Sequence, residues 1–434
     1  MAKSSAYFVC TNCGYTSIKW LGKCPSCGMW DTFKEYKESN TSRGEKRGIS
    51  YKLLKEVKTV EFRKVETGIF EFDRVLDGGI VPSSFVLLGG DPGIGKSTLL
   101  LEVSRNLASK GFKVLYISGE ESLEQVKMRA ERLKIDCEGI FFMNEQDIDR
   151  IKEAARELHP FMLIVDSIQT VFKPEMDQVI GSVSQVRECG MELLRIAKED
   201  GITVLAVGHV TKDGTLAGPK TLEHMVDVVL YLEGEKGSDL RILRCTKNRF
   251  GSSEEIGIFE MTQEALKEVS DASTLFISRE HVRKDGISYT VLLEGKRPLL
   301  LEIQSLVLPT FFAVPQRITT GFDTKRLYML LAVVERFAGI NMRSMDIFLN
   351  VTGGIKISDS STDLAVVLSI ITSYRKMPLD EHAVFIGEVG LGGEIRKVPG
   401  LTKRIEEARR LGFYNIFSPL EYKTVEEVVK ICLG

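Results

Sequence analysis

The chain has 434 residues, 43% of them hydrophobic and 27% charged, with a formal net charge of −2. That is enough chain for two or three domains and an ordinary globular balance. It excludes a disordered polyelectrolyte and a global positive field, so any nucleic-acid contact must come from local basic patches. Met1-Ala2-Lys3-Ser4-Ser5 has no apolar core behind it, and the apolar run near Leu299–Pro315 is broken by Glu302, Gln304 and two prolines. These features predict no signal peptide, no membrane contact and a cytoplasmic location.

Residues 1–36 are expected to form a small ribbon. Cys10-Thr11-Asn12-Cys13 and Cys24-Pro25-Ser26-Cys27 are two C-x-x-C pairs ten residues apart, each followed by glycine. Each pair puts two thiolates on one side of a tight turn, and two such turns facing each other make a tetrahedral four-sulfur site suited to Zn²⁺. So short a segment cannot bury a core, so the metal is expected to supply its folding energy, with Tyr15, Trp20 and Trp30 packed around it. Residues 37–56 are polar, charged and glycine-containing, and read as a linker.

Residues 57–270 alternate strand and helix signals, the pattern of a parallel, doubly wound α/β sheet. Phe85-Val86-Leu87-Leu88 is a buried strand, and a helical pattern opens at Thr98. Between them Gly90-Asp91-Pro92-Gly93-Ile94-Gly95-Lys96-Ser97 fits the phosphate-cradling P-loop, which predicts ATP as ligand. Its glycines let backbone N–H groups curl toward an anion, Lys96 is expected at the β- and γ-phosphates, and Ser97 is expected to ligate Mg²⁺.

Farther on, Lys113–Ile117 forms a strand that ends in Ser118-Gly119-Glu120-Glu121-Ser122. A carboxylate at that strand tip lies beside the nucleotide crevice, so Glu120 is the candidate base for the attacking water; the other reading is a pair of acids at a helix N-terminus. Phe161–Val165 is a third buried strand, and Asp166 at its tip is the expected water-mediated Mg²⁺ ligand. Thr203–Val207 leads to His209, read as a γ-phosphate sensor or as an ordinary strand-end histidine. Residues 173–190 read as a mobile basic loop entering a helix, and Val210–Lys220 as a second, glycine-rich and lysine-bearing loop; the two emerge on one side of the sheet, suited to single-stranded nucleic acid. Finally, Arg241–Thr246 runs as a strand into Lys247-Asn248-Arg249-Phe250-Gly251. Lys247 and Arg249 point the same way on extended chain and read either as fingers toward a neighbouring subunit's nucleotide or as a basic hairpin turn.

Together the four-cysteine ribbon, Gly-Asp-Pro-Gly-Ile-Gly-Lys-Ser, Ser-Gly-Glu-Glu-Ser, Gly-His-Val-Thr-Lys and Lys-Asn-Arg-Phe-Gly resemble the bacterial RadA (Sms) family over essentially the whole chain. The resemblance implies a RecA-like ATPase core in a hexameric ring. It further implies binding of single-stranded and branched DNA, ATP-driven movement along it, branch migration in recombinational repair, and cooperation with the RecA recombinase. By similarity to ring helicases such as DnaB, Lys247 and Arg249 are expected at the ATP of the adjacent protomer.

The same resemblance implies that residues 271–434 form an α/β domain like the proteolytic domain of Lon. On the residues alone, strands are predicted near Ser288–Leu293, Leu299–Leu306, Ile347–Asn350 and Ala383–Gly387, and helices near Lys325–Phe337, Asp363–Tyr374 and Leu401–Leu411. Ser361 falls at or near the Lon nucleophile position, but the lysine of Lon's Gly-Leu-Lys is replaced in Gly400-Leu401-Thr402, with Lys403 one residue on. That step rotates a helical side chain by about 100°. The domain is therefore expected to be non-proteolytic and to serve ring assembly and DNA contact, with Lys325, Arg326, Arg336, Arg343, Arg396, Lys397, Lys403 and Arg404 as the basic surface. An ATP-dependent Lon-like serine protease and a nucleotide-regulated DNA-binding scaffold are the other two readings of the whole chain.

Overall fold

A computed structural model describes residues 6–10, 15–26, 28–37, 63–176, 178–209, 221–234, 239–262, 264–269, 271, 273, 276–277, 284–357 and 359–434. The chain divides into two compact units: Met1–Glu233 with Arg241–Ser253 and Phe259–Glu268, and Gly234–Leu240 with Glu254–Ile258 and Val269–Gly434. Cys13, Cys27, most of the predicted linker and the loop Val210–Lys220 lie outside the described residues.

The ribbon is a three-stranded antiparallel sheet in which β1 (Ala6–Cys10) lies between β2 (Thr16–Ser17) and β3 (Phe33–Lys37). Its two cysteine turns close alike: Cys10 N donates to Tyr15 O, and Cys24 N to Met29 O, both at 2.9 Å. Cys10 and Cys24 are buried together with Phe33.

The large sheet follows from α1 (Phe70–Val75), β4 (Phe85–Gly90), α2 (Lys96–Ser109), β5 (Val114–Ser118), α3 (Leu123–Arg132), β6 (Ile140–Asn144), α4 (Ile148–Leu158), β7 (Met162–Asp166), α5 (Val183–Glu199), β8 (Thr203–His209), α6 (Thr221–Met225), β9 (Val228–Glu233), β10 (Leu240–Asn248), β11 (Ile256–Met261) and β12 (Leu266–Glu268). The strand order is β6-β5-β7-β8-β4-β9-β10-β11-β12. The first six strands are parallel, and β10 turns antiparallel to β9.

The central strands are continuous apolar runs because helices cover both faces. Side chains alternate between two cores: Val86, Leu88, Tyr116, Ile164 and Val207 pack with α1, α2 and α3, whereas Phe85, Leu87, Ile117, Leu163 and Val165 pack with α4 and α5. From β4 the chain passes through α2 and re-enters the sheet at β5, beyond β8 and β7. That jump opens a crevice at the C-terminal ends of the strands, where ligands bind in sheets of this kind.

The second unit contains β13 (Ile287–Glu294), β14 (Arg297–Pro309), β15 (Arg317–Thr320), α7 (Thr324–Phe337), β16 (Met345–Val351), α8 (Asp363–Arg375), β17 (Ala383–Phe385), β18 (Glu388–Val389), β19 (Ile395–Arg396), α9 (Leu401–Arg410), β20 (Asn415–Phe417) and α10 (Val425–Leu433). Its main sheet runs β13-β14-β16-β15. Eleven consecutive residues of α8, Asp363–Ser373, are buried, which is why this helix is apolar nearly all round rather than striped.

Candidate nucleotide site

The loop between β4 and α2 turns through Gly93 (φ 77°) and Gly95 (φ 114°), left-handed conformations that glycine adopts without strain. A Cβ at Gly95 would come within 2.5 Å of Met261 Cε, whereas one at Gly93 would meet nothing within 4 Å. Gly95 is therefore closed in by packing, and Gly93 faces open space. Lys96 is buried, and its Nζ donates to Gly90 O (2.7 Å) and Asp91 O (2.9 Å). Burial pulls its ammonium below the ordinary lysine range, while the charges of Asp166, Asp91 and Glu120 oppose that drop. A donor held this way, with little water to displace, is suited to an anion.

A cavity of about 360 Å³ lies over the loop. Pro92, Gly93, Gly95, Lys96, Ser97 and Thr98 line it, together with Ser118, Glu120, Asp166 and His209 from the strand tips. Register explains the convergence: Ser118 pairs with Asp166 across β5 and β7, and Gly90 with His209 across β4 and β8. Gly90, Asp91 and Ile94 shape the loop but do not line the cavity.

The acidic groups are linked. Glu120 Oε1 accepts from Ser167 Oγ (2.6 Å) and lies 3.1 Å from His209 Nε2, while His209 Nδ1 lies 3.5 Å from Lys96 Nζ. Partial burial pushes the Glu120 carboxyl up, but the hydrogen bonds from Ser167 and His209 and the charges of His209 and Lys96 outweigh it and hold it below its usual range. Asp166 Oδ2 accepts from Tyr116 Oη at 2.8 Å. Burial and the Asp166 charge raise the Tyr116 phenol, so it stays a donor. Helix α3 starts after the acid pair, with Ser122 and Gln125 forming its capping box, so Glu120 is not a first-turn acid. Glu121 accepts from Arg129 Nη2 at 2.6 Å instead.

Residues that the motifs did not single out contribute too: Arg129, Arg132 and Met261 line the cavity, while Tyr116 and Ser167 stand outside its lining and hydrogen-bond Asp166 and Glu120. A tyrosine inside an otherwise aliphatic strand was the available signal for Tyr116.

Lys247 and Arg249 are not brought to this cavity. On β10, Lys247 pairs with Val229 and Asn248 with Val228, and Val228 pairs with Val86 near the start of β4. That is the end of the sheet opposite the P-loop. Lys247 Nζ donates to the carbonyls of Glu223 (2.6 Å), His224 (3.2 Å) and Val226 (2.7 Å), and Arg249 reaches His224 O (3.2 Å) and Asp227 (3.4 Å). The stretch 173–190 is a loop that enters a helix, as expected. Helix α5 occupies it from Val183 onward, and the Lys173 ammonium is engaged by the buried Glu192 at 3.1 Å.

In the second unit Ser361 is fully buried. Arg404 Nη1 donates to Ser361 Oγ (2.8 Å) and to Val291 O (2.6 Å), and its Nη2 pairs with Asp359. A guanidinium stays protonated in proteins and cannot take the serine proton; Thr402 and Lys403 are exposed. Arg404 is 1% exposed, so its place in the predicted basic surface is wrong: a neighbouring carboxylate made its burial affordable. Arg326 is likewise engaged, with Asp363 and with Val389 O at 2.9 Å. In the ribbon Tyr15 meets Phe33 edge-on with ring centres 6.4 Å apart, but Trp20 and Trp30 are exposed rather than packed around the cysteines. The matched cysteine turns and the burial of Cys10 and Cys24 fit a structural Zn²⁺. Ser97 and Asp166 on one cavity wall fit Mg²⁺.

Comparison with known proteins accords with this geometry. Residues 52–215 match the AAA domain family, residues 8–35 the rubredoxin metal binding domain, and residues 324–422 subunit ChlI of Mg-chelatase. A DnaB-like replicative helicase structure aligns at TM-score 0.43 with 15% identity, over 48% of this chain and 62% of that one. The chain is 47% identical over 427 residues to DNA repair protein RadA of Bacillus subtilis (strain 168), covering 96% of this chain and 93% of the relative. It is 44% identical over 456 residues to the same-named protein of Halalkalibacterium halodurans, covering all of both. Among the described residues no helix is long and apolar enough to cross a membrane. With a P-loop ATPase core, an N-terminal metal-binding ribbon and a Lon-like C-terminal domain in one chain, the protein belongs to the DNA repair protein RadA family.

Proposed function

We propose that the chain is a DNA-dependent ATPase that binds single-stranded DNA, moves along it, and promotes branch migration of recombination intermediates. The observation that carries this reading is the linked set Lys96–His209–Glu120–Ser167. It joins the phosphate-binding lysine and the water-activating acid to the tip of β8, which leads directly into the segment 210–220.

In this mechanism the loop N–H groups and Lys96 hold the β- and γ-phosphates. Ser97 and, through water, Asp166 would hold Mg²⁺, which would supply charge neutralisation at the phosphate oxygens. Tyr116 fixes the Asp166 carboxylate by donating to Oδ2. Glu120, kept ionised by Ser167 and His209, orients a water and accepts its proton. His209 senses the γ-phosphate, because its Nδ1 faces the same ammonium. Lys247 and Arg249, pointed away from their own P-loop, act on the nucleotide of an adjacent protomer in a hexameric ring. The ribbon holds Zn²⁺ on Cys10, Cys13, Cys24 and Cys27, and cooperation with RecA completes the reading. The domains under this proposal are 1–36, 37–56, 57–270 and 271–434.

Steady-state ATPase measured with and without single-stranded DNA, on protein sized by light scattering, tests it. Strong stimulation in a ring-sized assembly is expected. ATP binding without DNA stimulation overturns the motor in favour of a regulated scaffold.

A further inference from the structure

The chain has two tryptophans, Trp20 and Trp30, and the ribbon carries both. Neither is in a core: Trp20 is 52% exposed and Trp30 71%. They are nevertheless held together. A Cβ on Gly22 would lie 3.7 Å from Trp20 Cη2 and Cζ3 and 3.8 Å from Trp30 Cζ3, so both rings converge on a single glycine. Lys23, which bridges to Trp30 across the turn, holds its Nζ over the Trp30 ring, 5.5 Å from the centroid. Lys19 and Lys34 are exposed on the same small module, and over residues 15–34 the opposing acid is Asp31.

An exposed indole forgoes about the burial energy of a large side chain, so two of them beside lysines call for a ligand with matching chemistry. A purely apolar partner would have to desolvate the lysines. A single strand of nucleic acid offers both complements: bases with π faces for the indoles and phosphates for the ammonium groups. We propose that Trp20 and Trp30 form a stacking platform for the bases of single-stranded nucleic acid, with Lys23 and Lys19 meeting its backbone. This deepens the DNA-binding reading above and rests on it.

Because the chain has no other tryptophan, its tryptophan emission reports this surface alone. The zinc-loaded full chain is titrated with oligo(dT) while tryptophan emission and the anisotropy of a labelled oligo(dT) are followed in parallel. Expected are quenching that tracks binding, no comparable quenching by heparin (a polyanion without bases), and roughly 5- to 100-fold weaker oligo(dT) binding in Trp20→Ala and in Trp30→Ala. Trp→Phe variants are expected to stay near the parent, and unchanged zinc content and DNA-free ATPase exclude loss of fold. Labelled oligo(dT) bound with emission unchanged, equal quenching by heparin, or emission that moves only when a protein partner is added overturns the platform and leaves the single-strand reading standing. No binding of labelled oligo(dT) at all is the separate result that removes that reading, and the platform with it.

Discussion

His209 Nε2 stands 3.1 Å from Glu120 Oε1. The last residue of β8 therefore touches the acid that follows β5, although two registers and a crossover separate them in the sequence. Replacing Glu120 by Gln keeps the shape but removes the proton acceptor. ATP turnover is expected to fall roughly 10²- to 10⁴-fold while nucleotide binding is retained; turnover near the parent level would remove Glu120 from catalysis.

The same contact sets a pH dependence. Ser167, His209 and Lys96 keep the Glu120 carboxyl below its ordinary value of 4.5, so Glu120 remains ionised down to that pH and does not limit turnover above it. Ser167→Ala removes one of the lowering contacts. The pKa then rises, and the acid limb of the turnover profile is expected to move to higher pH. A profile of kcat against pH checks this, and an unmoved limb would separate Ser167 from the base.

Lys96→Ala is expected to abolish turnover by removing the main cation at the phosphates. Lys247→Ala and Arg249→Ala are expected to bind nucleotide but turn it over slowly. Mixing either variant with the Lys96 variant should restore part of the activity, because each assembly then contains interfaces with an intact site and an intact finger. Absence of rescue would place the fingers in cis.

Burial raises the Glu102 carboxyl from 4.5 to about 7, with Arg105 opposing and Glu268 assisting. Below pH 4.5 folded and unfolded chains both hold this proton; between there and about 7 only the folded chain does, so stability falls as pH rises through that window. Glu102→Gln mimics the protonated form and is expected to be more stable than the parent at pH 8, by up to about 3 kcal/mol. Chemical denaturation at pH 5 and pH 8 measures the difference, and equal pH slopes in the two proteins would contradict it.

Replacing Cys27 by Ser should release the ribbon's zinc and unfold the ribbon while leaving basal ATPase intact. A full metal equivalent retained in the variant would refute the four-sulfur site.

Much of this was legible from composition and local pattern. The P-loop, the aliphatic strands ending in Asp166 and His209, and the paired cysteines are motifs whose chemistry lies in adjacent residues. What stayed hidden depends on register or on distant partners. Tyr116 meets Asp166 only because β5 and β7 align Ser118 with Asp166. Arg404 looked like any helix-surface cation, because the groups that bury it, Asp359 and Ser361, lie more than forty residues earlier. Trp20 and Trp30 were expected inside the ribbon because large aromatics are usually buried; a module of this size has too little interior for two indoles.

The three carbonyls that hold Lys247 belong to α6 and the turn after it, the first described structure beyond residues 210–220. One ammonium is thus a clasp on that helix. An anion that drew Lys247 away would have to replace three acceptors at once, and among the described residues α6 would keep only the Arg249 bond to His224 O from this stretch. Engagement of Lys247 elsewhere and loosening of the turn that leads into β9 are thereby coupled through one ammonium.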